Sequence, residues 1–132
     1  MGTVFLTCEE SGASRPHREA LLRRDAGHTG LTRGFTGRLA RGIDNALMQL
    51  FNQTRTEILP YPLQRGLVRH LSVAAATAGR SDLLPLWAGQ SADLSSCTDV
   101  PVFLQSLLEE ASAIAGPTSD WSATYRENHR TT

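Results

Sequence analysis

The sequence predicts a mainly α-helical chain with one or two short strands, and three observations lead there. Apolar residues recur at spacings of three and four in four separate stretches, the periodicity of an amphipathic helix. Glycine- and proline-rich connections separate those stretches. Outside them, Thr3 to Thr7 and Thr29 to Phe35 are the candidate strand segments, and both are short. No internal repeat and no break in composition divides residues 1–117. After Thr118 the composition turns polar, with Trp121 and Tyr125 isolated among Ser, Thr, Arg and Asn, so 118–132 is expected to be a flexible polar tail.

Val4, Phe5 and Leu6 are strand formers, and Gly12 closes their run, which predicts a short buried strand over Thr3 to Thr7. Ser14 or Arg15 caps a first helix with Pro16 in its opening turn and Ala20, Leu21 and Leu22 as its apolar face, stopped by Ala26-Gly27. His17 in that first turn reads as a surface residue. Ile43, Leu47, Leu50 and Phe51 place a second helix from Ala40 or Ile43 to Thr54, with Asn45 one turn in. Pro60-Tyr61-Pro62 then pins an extended connection. Leu63, Leu67, His70, Leu71, Ala74, Ala75 and Ala78 mark a third helix that ends at Gly79, with His70 packed on or beside its apolar stripe. Thr98 or Asp99 caps the last helix, with Pro101 in its first turn. Leu104, Leu107, Leu108, Ala111, Ile114 and Ala115 lie on one side, and Gly116-Pro117 ends it.

A chain of 132 residues has room for one domain. Net charge is zero, so the electrostatic footprint of a nucleic-acid binder is missing. All thirteen basic residues are arginine, which removes any Schiff-base or P-loop lysine. Cys8 and Cys97 lie far apart without ligand spacing, and neither a metal site nor a disulfide framework is indicated. No stretch approaches the roughly 18 apolar residues of a membrane span, and the N-terminus lacks a secretory pattern. The chain therefore reads as cytoplasmic.

Two stretches carry the chemistry. Leu31 to Asn45 gathers Arg33, Arg38 and Arg41 with Gly34, Gly37 and Gly42, a loop whose guanidiniums can fork onto carboxylate or phosphate or simply face solvent. Trp87-Ala88-Gly89-Gln90 sets an indole beside a glycine and an amide, either as one wall of a planar-ligand pocket or as an aromatic plug with a turn behind it. Glu109 and Glu110 are adjacent on a helix and cannot face each other as a carboxylate pair.

Five motifs in order add a further layer: Met1-Gly2-Thr3-Val4-Phe5-Leu6-Thr7, Glu10 to Ser14, the arginine-rich stretch, Leu59-Pro60-Tyr61-Pro62-Leu63-Gln64, and Leu86-Trp87-Ala88-Gly89-Gln90. Together they resemble the C-terminal portion of the nitronate monooxygenase family, also called 2-nitropropane dioxygenases, from Met1 to about Ala115. Leu39 stands where the family has proline. The resemblance implies an α/β, FMN-dependent TIM barrel, of which this chain would be the last barrel strand and a helical cap over residues 1–117. A whole barrel needs about 250 residues, so the chain is expected to be a fragment, a truncated gene or a product of a misplaced start.

By the same resemblance, Met1, Gly2 and Thr3 would lie at the FMN phosphate, and Gly89 and Gln90 would contact or support the flavin. The implied reaction takes a small-molecule alkyl nitronate and O₂ to a carbonyl compound and nitrite. The family's catalytic histidine belongs to an earlier part of the barrel, so no catalytic residue is assigned here, and the chain alone is expected to be inactive. Two alternatives remain beside it: a fragment of a flavin-dependent enoyl-acyl-carrier-protein reductase, and a helical interaction module without enzymatic activity.

Overall fold

A computed structural model describes residues 2–23, 28–54 and 57–115. In chain order these form α1 (Gly2–Thr7), α2 (Arg15–Leu22), β1 (Thr29–Thr32), β2 (Ala40–Ile43), α3 (Ala46–Gln53), α4 (Leu63–Thr77) and α5 (Val100–Ala115). Single 3₁₀ turns at Ser81–Leu83 and Ala92–Leu94 punctuate the stretch between α4 and α5. Two compact units result, Met1–Thr98 and Asp99–Thr132. Ala26-Gly27, Gly116-Pro117 and the tail over 118–132 lie outside the described residues, as does Met1.

The strand expected over Thr3 to Thr7 is instead α1. A strand needs a neighbour to take its backbone N–H and C=O groups. The two described strands pair with each other, and residues 2–7 close their own hydrogen bonds as helix. Thr7 Oγ1 lies 2.7 Å from Val4 O and 2.5 Å from Cys97 O, tying the end of α1 to the later chain. Helix α2 matches the sequence expectation, with Ser14 at the N-cap and Pro16 in the first turn.

The arginine-rich stretch is not an open loop but largely an antiparallel hairpin. Its register pairs Thr29 with Ile43, Gly30 with Gly42, Leu31 with Arg41 and Thr32 with Ala40. Thr32 Oγ1 accepts from Gly34 N at 3.0 Å, and Arg33 O accepts from Gly37 N at 2.7 Å, which turns the chain after β1. Gly37 sits at φ 85°, where an added Cβ would meet Leu59 O at 2.5 Å, so the turn tip depends on glycine.

Helix α3 begins later than its apolar period suggests, because Asn45 is its N-cap rather than an internal residue. Asn45 Oδ1 accepts from Met48 N at 3.0 Å while Nδ2 donates to Leu84 O at 2.8 Å. One buried amide therefore starts a helix and anchors a distant segment.

Helix α4 spans the expected residues and ends before Gly79, at φ 68°. Its buried face is displaced by one residue from the leucine stripe. Gln64, Val68 and Ala75 are buried, whereas Leu63, Leu67, Leu71 and His70 are exposed. Gln64 wins the inner position through hydrogen bonds: Nε2 donates to Gly34 O at 2.6 Å and Oε1 accepts from Leu59 N at 3.2 Å. A leucine there would leave both backbone groups without those partners. Beyond α4, Arg80 forks onto Asp82 at 2.8 and 2.7 Å, and that hydrogen bonding holds the exposed Asp82 carboxyl below its ordinary range.

Two apolar clusters fill the first unit. Leu21, Ile43, Ala75, Leu84, Leu86, Ala88 and Ala92 form one; Phe35, Leu47, Met48 and Val68 form the other, with Phe51 and Trp87 against it. In the second unit α5 is started by Asp99 Oδ1 accepting from Val102 N at 2.8 Å, and none of its residues is buried.

Replacing Asn45 with alanine removes a cap and leaves Leu84 O without its amide donor, a combined loss of about 2 kcal/mol. Urea unfolding of Asn45→Ala is expected to show that drop, against a loss of less than about 0.5 kcal/mol for exposed Gln49→Ala. Equal midpoints for the two variants would contradict this assignment.

Candidate functional site

The site is built around one extended segment, Leu84 to Gly89. Ile43 N donates to Leu86 O at 2.8 Å and Ala88 N donates to Arg41 O at 3.2 Å, so the segment lies antiparallel beside β2 around a Gly42–Trp87 bridge. Gly42 permits this approach, since a Cβ there would sit 2.8 Å from Leu86 O. The buried apolar residues Leu84, Leu86 and Ala88 alternate along it and face one cluster, as the period of an extended chain requires.

Two side chains from the first helices hold the far end. His17 Nε2 lies 2.8 Å from Trp87 O, and because a carbonyl only accepts, Nε2 carries the hydrogen. Gly89 N donates to Thr3 Oγ1 at 2.9 Å. The structure thus brings Thr3 and Gly89 together across 86 positions of sequence. Gly2 and Gln90, their neighbours in the chain, are exposed, and Met1 lies outside the described residues. His17 is half-buried and engaged rather than a free surface residue, a role its sequence position gave no sign of.

On the other face of the segment is a cavity of about 600 Å³. Phe35, Val68 and Trp87 form its apolar wall. The Trp87 ring meets Phe35 edge-on, with centroids 5.5 Å apart at 83°. Trp87 packs against the core cluster and also walls this cavity, whereas Gly89 and Gln90, which the sequence grouped with it, do not line it.

Three arginines line the same space, Arg38, Arg65 and Arg69, and among the described residues no acidic residue does. Arg38 Cζ stacks 4.3 Å from the centroid of the Tyr61 ring, which fixes one of the three.

Of the three arginines singled out in the sequence, only Arg38 reaches the cavity. Arg41 turns back on the hairpin, with Nη1 donating to Thr29 O at 2.9 Å and lying 3.1 Å from Thr29 Oγ1, and Arg33 is exposed. Sequence reading missed Tyr61, Arg65 and Arg69. A signal was present: Arg65, Arg69 and Ser72 fall at i, i+4 and i+7 on one face of α4, directly after Tyr61. Thr3, Gly89 and Gln90 do not line this cavity. Among the described residues, no group of three His, Cys, Asp or Glu comes close enough to hold a metal ion, and no helix is long and apolar enough to cross a membrane.

The chain matches the family model described as nitronate monooxygenase over residues 1–110. The chain belongs to the nitronate monooxygenase family. It is 33% identical over 114 residues to the probable nitronate monooxygenase of Staphylococcus aureus strain Newman, a match covering 86% of this chain and 32% of the relative. The corresponding protein of strain MRSA252 matches to the same extent. Among solved structures, the nitroalkane oxidase from Streptomyces ansochromogenes superposes with a TM-score of 0.69 at 35% identity, covering 80% of this chain and 30% of that one. The chain thus spans about a third of the length of the relatives it matches.

Thr3→Val deletes the acceptor that holds the end of the segment. It is expected to cost about 1 kcal/mol of unfolding free energy, as one hydrogen bond does. Gln90→Ala, one residue beyond the tether, is expected to change it by less than about 0.5 kcal/mol. Urea titration of both variants checks this, and an unaltered midpoint in Thr3→Val would show that the contact carries no stability.

Proposed function

We propose that this chain is the C-terminal part of an FMN-dependent nitronate monooxygenase, a TIM-barrel enzyme oxidising alkyl nitronates with O₂ to a carbonyl compound and nitrite. In this reading Gly2, Thr3, Gly89 and Gln90, with Met1, form the portion of the flavin site that the chain contributes. The observation that carries it is the Thr3–Gly89 hydrogen bond, which joins two separated family motifs at one place. Family membership and the one-third span of the relatives support the fragment reading.

The residues present suit a phosphate or a flavin edge. The Thr3 hydroxyl accepts from Gly89 N and so keeps its own proton to donate outward. Gly89 has no side chain to block approach, and the Gln90 amide is exposed beside it. When bound, FMN supplies the electron transfer to O₂. This chain's own contribution is to hold and orient: Thr3 as donor, Gly89 as an open backbone, and the His17 tether that keeps Trp87 and its neighbours in place.

A chimera tests this reading. Residues 1–110 replace the matched segment of the S. aureus relative, and flavin absorbance, nitrite release and O₂ uptake on an alkyl nitronate are measured. The chimera is expected to retain FMN and turn over nitronate, with Thr3→Val lowering flavin occupancy, while the 132-residue chain alone holds no stoichiometric FMN. A folded chimera without flavin, a yellow isolated chain with one FMN per molecule, or a chimera that reduces enoyl thioesters with NAD(P)H instead would overturn the proposal.

A further inference from the structure

The cavity beneath Trp87 has a character that holding a flavin at Thr3 does not explain. We propose that it is a separate binding site for a nucleoside phosphate, with the base against the aromatic wall and the phosphates on Arg38, Arg65 and Arg69. This goes beyond the flavin reading and stands without it, since Thr3, Gly89 and Gln90 do not line the space.

Size is the first reason. An open cavity of about 600 Å³ has room for a ligand of drug-like dimensions, well beyond what a small nitronate fills.

Charge is the second. Three arginines, Arg38, Arg65 and Arg69, line one space, and among the described residues no carboxylate does. The salt bridges of the described residues that involve arginine join Arg15 and Arg23 to Glu19 and Arg80 to Asp82, all on other parts of the surface. Arg65 and Arg69 stand one turn apart on α4, so their side chains project in the same direction and can fork onto adjacent phosphoryl oxygens. A singly charged anion would satisfy one of them, whereas a diphosphate presents enough oxygens for all three.

The third reason is the wall itself. Trp87 is half-buried and presents the accessible aromatic face on which a planar base can lie, backed by buried Phe35, which it meets edge-on, and by buried Val68. Tyr61 is already stacked by Arg38, which leaves that guanidinium held in position before any ligand arrives.

Calorimetric titration of the full chain, and in parallel of the chimera, with ADP, adenosine and pyrophosphate tests the proposal. ADP is expected to bind one to one and more tightly than either half, and to weaken as salt rises. Arg65→Gln and Arg69→Gln should each weaken ADP at least about tenfold, the effect of losing one charge-assisted contact, and leave adenosine unchanged. Arg33→Gln, outside the cavity, should leave ADP binding as it was. Circular dichroism confirms that each variant is folded. Absence of ADP binding in folded protein, ADP affinity indifferent to both variants, or pyrophosphate binding as tightly as ADP would each overturn the site. FMN retention by the same chimera reads the flavin proposal separately, so either can fail alone.

Discussion

Everything distinctive in this fold hangs on the segment from Leu84 to Gly89. Its backbone is held by Asn45 at Leu84, by β2 at Leu86 and Ala88, by His17 at Trp87 and by Thr3 at Gly89. Each tether is one hydrogen bond of about 1 kcal/mol, and none would fix a loop by itself. Together with three alternating apolar side chains buried beneath, they place a connection that has no regular secondary structure of its own. Gly42 is the steric condition for the arrangement, because any side chain there would collide with the Leu86 carbonyl.

The same segment separates two chemically different sides. One end lies against α1, where Thr3 and Gly89 meet beside exposed Gly2 and Gln90. The Trp87 side chain reaches the opposite side and walls a cavity whose remaining lining is arginine-rich. A shift of the segment would therefore disturb both places, although they share no lining residue. His17 matters for that reason: it fixes the backbone carbonyl of Trp87, two residues from Gly89 and on the residue that walls the cavity.

Much of the helical framework was legible in the sequence, since α2, α4 and α5 follow from apolar period, caps and the Pro and Gly that bound them. What local patterning could not supply were the features decided by distant partners. Val4, Phe5 and Leu6 favour a strand, yet α1 is helical because the two described strands pair elsewhere. The leucines of α4 look like its core face, yet Gln64 is turned inward by two backbone groups from other loops. Thr3 and Gly89 were reached through the family motifs, whereas Arg65 and Arg69 could have been found from helical spacing alone. His17 could not, since its partner lies 70 positions away.

Native-state hydrogen exchange at single-residue resolution tests the central claim most directly. If Leu84 to Gly89 is held as a unit, the amides of Ile43, Ala88 and Gly89 should be protected and should exchange through one shared opening. Should Ala88 and Gly89 exchange at unfolded-chain rates while Met48 and the α4 amides stay protected, the segment is not held, and neither side of it is built as described.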